Sequence, residues 1–463
     1  MTNEGLPGLF QQSFSAEALR KRRIRLCDDM SASDLAIIQG APRPNGSTLF
    51  RQTNDMYYLT GVEVPYAYLT INGKTKLSTL YLPHRNVGEE RDEGKILNST
   101  EEKLATELVG VDFVRSLESM PHDLSSFVLK TQAPRFCTPM RNPELGSESR
   151  DQILKAIAYS LSDPWRDTYS PPAFLVKKLQ RAFPEAIFSD LTPALDAMRS
   201  IKDSTEIDLL RIAGDLCARG ITEAMRSTSA GIYEYELAAV ANFIFNQGGA
   251  RGDAYRAIVA TGQNAWHGHY GKLNSRLRNG ELVLMDYAPD FGYYTSDIGR
   301  MWPVNGRFST EQRTCYSFIV NYHRALLERI RPGKVPNEIM DEVAEEMLKV
   351  INKTRFANEN QKKAALKALD FRGHFSHPVG MSVHDIGEYR GTPLIKGTVF
   401  SVDPMMWVEE EQQYIRCEDT VVVTDDGFEN LTANAPLDCD EIENVMNEPG
   451  VLQELQTRAG VRR

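Results

Sequence analysis

Cysteine is scarce in this chain, and no two cysteines stand in a C-x-x-C pair. The 463 residues contain six, at 27, 137, 217, 315, 417 and 439. That scatter argues against a disulfide framework and makes a reducing cytoplasm the expected compartment. Long hydrophobic runs are missing as well, since none approaches the roughly eighteen residues a membrane helix needs. The start, MTNEGLPGLF, lacks the basic and apolar regions of a secretory signal. Positive charge is in deficit, with 53 Lys and Arg against 63 Asp and Glu. A net charge of −10 disfavours nucleic acid and anionic membrane surfaces as partners. Low-complexity segments and evident repeats are absent too.

What is present reads as a globular protein: 41% apolar and 25% charged residues. The length predicts two domains, with the boundary placed between residues 185 and 186. In the first part, residues 16–30 read as a helix whose basic end, Arg20 to Arg25, is a solvated face. DLAIIQG from Asp34 and DMYYLTG from Asp55 read as strands, and Ala67 to Leu82 as a hairpin marked by Asn72–Gly73. Nothing there carries chemistry by itself.

Longer helices follow Leu191. Asp203 and Glu206 form a capping-box pattern ahead of an apolar stripe at Ile207, Leu210, Ala213, Cys217, Ile221 and Ala224. Helices are expected at Tyr235–Asn246, from Ser309 to Pro332–Gly333, and from Asn337. RAIVATG, VFSVDPMMWV and YIRCEDTVVV read as strands. Helices and strands interleave, so this half is α/β or α+β with one sizeable core.

The chemistry gathers around LVLMDYAPDFGYYTSDIGRMWPVNG, Leu282 to Gly306. Two β-favouring runs flank a glycine, the mark of a hairpin. With Phe291–Gly292 as the loop residues, Asp286 sits directly opposite Asp297, Cβ atoms about 4.5–5.5 Å apart. Like charges held face to face in an apolar strand call for a cation between them. Histidines cluster nearby, His267 and His269 before the hairpin, His374, His377 and His384 in GHFSHPVGMSVHDIG. Arg416 and Glu418 share one face of a strand that Val421–Val423 marks as buried, and Asp403 lies in a similar strand. Four buried carboxylates with imidazole suit Mn(II), Co(II), Fe(II) or Zn(II) in a paired site sharing carboxylates and a hydroxide. The residues alone point to a dinuclear metallohydrolase and leave its substrate open.

In these motifs the chain resembles the aminopeptidase P, prolidase and creatinase family. The motifs are MRSIKDSTEIDLLR, HY before the hairpin, the hairpin itself, SHPVGMSVHD, VFSVDP and YIRCEDTVVVT, in that order. The resemblance is close from about Leu191 to Pro436 and looser before it, where DMYYLTGVEVPYAYL resembles the family's N-terminal pattern. It implies a creatinase-like α/β domain, residues 1–185, followed by a pita-bread α+β catalytic domain, 186–463. It also implies five metal ligands, with Asp286 on one ion, His377 and Asp403 on the other, and Asp297 and Glu418 bridging. His269 and His384 would contact substrate and stabilise the tetrahedral intermediate, and Arg416 would orient ligand carboxylates. The implied activity is that of a Xaa-Pro aminopeptidase using two divalent ions, foremost Mn(II), and a metal-bound hydroxide. Residue 403 would pass the proton to the leaving nitrogen. The implied partners are a peptide with proline second and further copies of the chain, as a dimer or tetramer.

Three positions depart from the family pattern. Asp403 stands where the family has Glu, Pro404–Trp407 where it has Pro-Gly-Leu-Tyr, and Tyr287–Ala288 where it has Ala-Gly, narrowing the pocket floor. His374 is also displaced by one from a common family histidine. Prolidase is the neighbouring reading, a creatinase-like hydrolase of non-peptide substrates the next. A metal-free binding protein ranks last, because buried acids without a cation are costly.

Overall fold

The computed structural model describes residues 13–165 and 170–459, so MTNEGLPGLF lies outside the described residues. The chain divides into two compact units, the first ending at Arg199 and the second beginning at Ser200. The expected boundary at 185/186 falls just before a strand that completes the first sheet.

In the first unit the strands are β1 (Asp34–Gln39), β2 (Tyr68–Asn72), β3 (Ser78–Leu82), β4 (Phe113–Ser116), β5 (Arg135–Thr138) and β6 (Ile187–Asp190). They form one mixed sheet in the order β4-β3-β2-β1-β5-β6. Leu35, Ile37, Phe136, Leu175 and Leu179 build a core on it. The expected hairpin forms as β2–β3, but residues 73–77 separate the strands, and the Asn72 carboxamide accepts from Lys74 and Thr75 N–H.

Two expectations fail here. DMYYLTG is not a strand: Asn54–Thr60 is a helix, N-capped by Thr53 and closed by Gly61 at φ 65°. Every residue of it is buried, so no amphipathic period marks it as helical. The basic end of the first helix is not wholly solvated either. Arg22 and Arg23 are buried, donating to the carbonyls of Tyr58 and of Leu59 and Val109.

The second unit holds β7 (Ile258–Thr261), β8 (Leu282–Asp286), β9 (Ile298–Pro303), β10 (Phe375–Pro378), β11 (Val399–Val402), β12 (Met405–Val408), β13 (Gln413–Arg416), β14 (Glu418–Val423) and β15 (Phe428–Asn430). The main sheet runs β10-β11-β14-β9-β8-β7, with β15 on β14, while β12 and β13 pair separately. Helices Ser204–Ser227, Glu234–Gln247, Thr310–Leu327 and Pro336–Lys353 join it in one core, with Ile221, Phe245, Phe318 and Ile339 beside Val283, Trp302 and Val421. The Asp203–Glu206 capping box is present at 3.0 Å in both directions.

The central hairpin forms, with its register moved. Pairs run from Leu282↔Pro303 to Asp286↔Gly299, so Asp286 faces Gly299 and not Asp297. The two loop residues are Gly292 (φ 59°) and Tyr293 (φ 73°), closed by mutual Phe291–Tyr294 hydrogen bonds of 2.8 and 3.0 Å. A tight hairpin turn of this hand needs positive φ at both positions, and here a tyrosine takes the second. Tyrosine seldom does so, which is why the glycine alone misplaced the turn by one residue.

Candidate metal centre

The corrected register lines up the acids across the sheet. Asp286 on β8 pairs with Gly299 on β9, and Gly299 pairs with Glu418 on β14. Val402 on β11 pairs with Asp419, which brings Asp403, one residue past the strand end, beside Glu418. Asp297 precedes Gly299 by two and therefore shares its face. Gly299 is bare for a reason: a Cβ there would lie 3.1 Å from Glu418 Cβ and 3.3 Å from Arg416 Nε. A glycine inside a buried strand marks such a close approach, and it is the sequence signal that was overlooked.

Two side chains, Arg416 and Tyr255, donate to the line. Arg416 closes a fork on Asp403, Nε to Oδ1 at 2.9 Å and Nη2 to Oδ2 at 2.8 Å. Its Nη1 reaches Asp286 Oδ2 at 2.9 Å, and Nη2 also touches Glu418 Oε2. Tyr255 places its hydroxyl 2.7 Å from Asp286 Oδ1 and 2.8 Å from Asp297 Oδ1. Sequence reasoning missed Tyr255, because only the Ile258↔Asp286 pairing carries the loop before β7 to the acids. The single hydroxyl proton serves one carboxylate at a time.

The histidines enter from the other side. His377 Nε2 lies 3.2 Å from Asp297 Oδ2, while its Nδ1 is 3.1 Å from the Pro378 carbonyl. An Nδ1–H donated to that carbonyl leaves Nε2 as a lone-pair ligand aimed at the acids. The His384 ring packs 3.9 Å from His377, and the exposed His269 lies 6.5 Å from His384. A buried Lys202–Asp385 pair, 3.0 Å apart, anchors the residue after His384. Glu206 accepts from the Tyr294 hydroxyl at 2.8 Å, tying the hairpin turn to the helix Ser204–Ser227.

His374 is structural. Its ring binds the Ala368 carbonyl at 2.8 Å and its own carbonyl accepts the Asp403 N–H at 2.7 Å, which fixes the segment carrying that acid. Burial holds its pKa down to about 4. Tyr287 does not narrow a pocket floor. It points to the helix Glu234–Gln247, where Asn242 donates to its hydroxyl at 3.0 Å, and it packs on Phe245 and Tyr255.

Electrostatically the line is short of positive charge. Burial, with Asp286 alongside, pushes Asp297 well above the usual carboxylate range; burial and Glu418 do the same to Asp403 although Arg416 opposes it. Burial likewise raises Glu418, with Arg416 opposing and Asp297 and Asp286 adding to the rise. Asp297, His377 and Glu418 bring ligand atoms within 4.8 Å of one another. Glu418 Oε1 is buried with no protein hydrogen bond. Carboxylate oxygens and an imidazole nitrogen converging beside this unbonded Glu418 oxygen fit a divalent ion. Among the described residues, Asp286 and Asp403 do not join that trio.

Residues 208–425 match metallopeptidase family M24, and residues 19–134 match the aminopeptidase P N-terminal domain. An Escherichia coli Xaa-Pro aminopeptidase is 28% identical over 453 residues, covering 93% of this chain and 98% of its own. Mouse Xaa-Pro aminopeptidase 3 is 30% identical over 416 residues, covering 86% and 76%. Among solved structures, aminopeptidase P from E. coli with the inhibitor Pro-Leu has a TM-score of 0.75 at 27% identity, covering 94% of this chain and 98% of that one.

Proposed function

The chain belongs to metallopeptidase family M24 and is a hydrolytic metalloenzyme, and from that premise we propose that it is a Xaa-Pro aminopeptidase. Its substrate is a peptide with proline second, and it releases the residue before that proline. The observation that carries the reading is the convergence of Asp297, His377 and Glu418 within a buried carboxylate line. A divalent ion held by these three residues would supply Lewis acidity and lower the pKa of water. The oxygen-rich donor set favours Mn(II), with Zn(II), Co(II) and Fe(II) as competitors.

The chain's own residues divide the remaining work. His384, tilted against His377 and followed outward by His269, lines the approach of the scissile carbonyl and offers N–H donors to the oxygen that gains charge. Tyr255 holds Asp286 and Asp297 in place, and Arg416 holds Asp286 and Asp403. The family resemblance supports an assembly of two or four copies, and six buried cysteines suit a reducing cytoplasm.

The test is hydrolysis of a Xaa-Pro-Xaa tripeptide by manganese-loaded protein, beside the matching Xaa-Pro dipeptide and a chelated control. Release of the first residue from the tripeptide, abolished by chelation, is the expected result. Cleavage of the dipeptide alone would replace this reading with prolidase, and cleavage of neither would turn the search to non-peptide amides.

A further inference from the structure

We infer that this centre holds one divalent ion per chain, at Asp297, His377 and Glu418, and that the Arg416 guanidinium serves as its second cation. The inference rests on the metallopeptidase reading and concerns what this chain has done to the site. The five expected ligand side chains fall into two groups that differ in what faces their oxygens.

On one side every acceptor lies within hydrogen-bond reach of a donor. Asp403 Oδ1 and Oδ2 take Arg416 Nε and Nη2 at 2.9 and 2.8 Å. Asp286 Oδ2 takes Arg416 Nη1 at 2.9 Å, and its Oδ1 takes the Tyr255 hydroxyl at 2.7 Å. On the other side the donors run short: Glu418 Oε2 takes Arg416 Nη2, and Asp297 Oδ1 shares the single Tyr255 proton with Asp286. Glu418 Oε1 is buried with no hydrogen bond, and Asp297 Oδ2 lies 3.2 Å from His377 Nε2. Only that second group leaves a buried carboxylate oxygen for a metal ion to satisfy.

The short side chain at 403 explains the split. Aspartate reaches one carbon–carbon bond less than glutamate, about 1.5 Å. Its carboxylate therefore stops beside Arg416, and the planar fork engages both oxygens at once, the strongest pairing a guanidinium makes. Gly299 gives Arg416 the room, since Nε lies 3.3 Å from where a Cβ would be. Arg416 is itself 5% exposed and cannot turn out to water. A second ion would have to pull Asp286 and Asp403 from the guanidinium and leave that charge buried beside two dications. One dication and Arg416 already neutralise three of the four carboxylate charges. Asp403 then acts as a positioning residue for Arg416 and carries no proton in the reaction.

The count of bound metal decides this. Metal-free full-length protein is saturated with Mn(II), freed of excess by gel filtration, and assayed by elemental analysis and electron paramagnetic resonance. The expected result is one manganese per chain with a six-line, mononuclear spectrum. In Asp403→Glu the longer carboxylate reaches past Arg416, and the count rises to two with an exchange-coupled spectrum. Two ions per wild-type chain, or a coupled spectrum from it, overturns the inference; so does no retained manganese. An Asp403→Glu protein that folds and still binds one ion also overturns it, because the short side chain would not be the cause. Should that variant not fold, the wild-type count and spectrum suffice. Tripeptide hydrolysis is read on the same wild-type sample: one ion without hydrolysis refutes the peptidase reading and supports the one-ion inference.

Discussion

Gly299→Ala is the most local perturbation the structure offers, because it adds one methyl at the centre of the carboxylate line. The new Cβ would stand 3.1 Å from Glu418 Cβ and 3.3 Å from both Glu418 Oε2 and Arg416 Nε. Carbon atoms pack best at about 3.5–4.0 Å, so Glu418 must retreat by a few tenths of an ångström. Its strand is buried on both faces and paired to β9 and β11, so the retreat strains the sheet. Overpacking of this kind costs about 1–3 kcal/mol. In a unit of this size each kcal/mol lowers Tm by about 2–4 °C. Displacing a ligand's support weakens metal binding by about 10- to 100-fold. Thermal unfolding with and without manganese, together with calorimetric titration of manganese, reads both effects. Gly391→Ala is the control, since a Cβ there meets nothing within 4 Å. Wild-type Tm and manganese affinity in Gly299→Ala would refute the register and the site built on it.

Tyr255→Phe removes the hydroxyl shared by Asp286 and Asp297. A hydrogen bond to a charged group contributes about 1.5–3 kcal/mol, so manganese affinity should fall about tenfold or more while the circular dichroism spectrum is unchanged; unchanged affinity would show that the hydroxyl does not hold the acids. A separate test concerns His323, buried beside Asp419, whose pKa burial lowers from 6.5 to about 4. A depressed folded pKa means the unfolded chain binds the extra proton, so His323 contributes fully above pH 6.5 and its contribution is lost as pH falls towards 4. The loss is about 3 kcal/mol. His323→Gln should therefore flatten urea-unfolding stability between pH 6.5 and 4 relative to wild type, and parallel curves would contradict the assignment.

How much of this was legible in the sequence follows from how local each signal is. Asp286, Asp297, Asp403 and Glu418 could be found because charge inside an apolar, two-residue period is anomalous wherever the strand pairs. The Asp203–Glu206 cap is a contact within one turn and needs no tertiary knowledge. Long-range pairing is what escaped. Asp286 faces Gly299 because Tyr293 accepts a positive φ that its residue type disfavours. Asn54–Thr60 is buried all round, which erases the helical period. Arg22 and Arg23 sit in a basic run that looks solvated, yet distant carbonyls satisfy them. The Arg416–Asp403 fork joins β13 to the end of β11 and has no signature in spacing.

The account stands most directly on Asp297, which touches both Tyr255 and His377 and belongs to the ligand trio. The decisive measurement is bound manganese and Xaa-Pro-Xaa tripeptide hydrolysis in Asp297→Asn, beside wild type, with circular dichroism to establish folding. The account predicts a folded protein that has lost its manganese and its hydrolysis together. A folded Asp297→Asn protein that hydrolyses the tripeptide at the wild-type rate would contradict it.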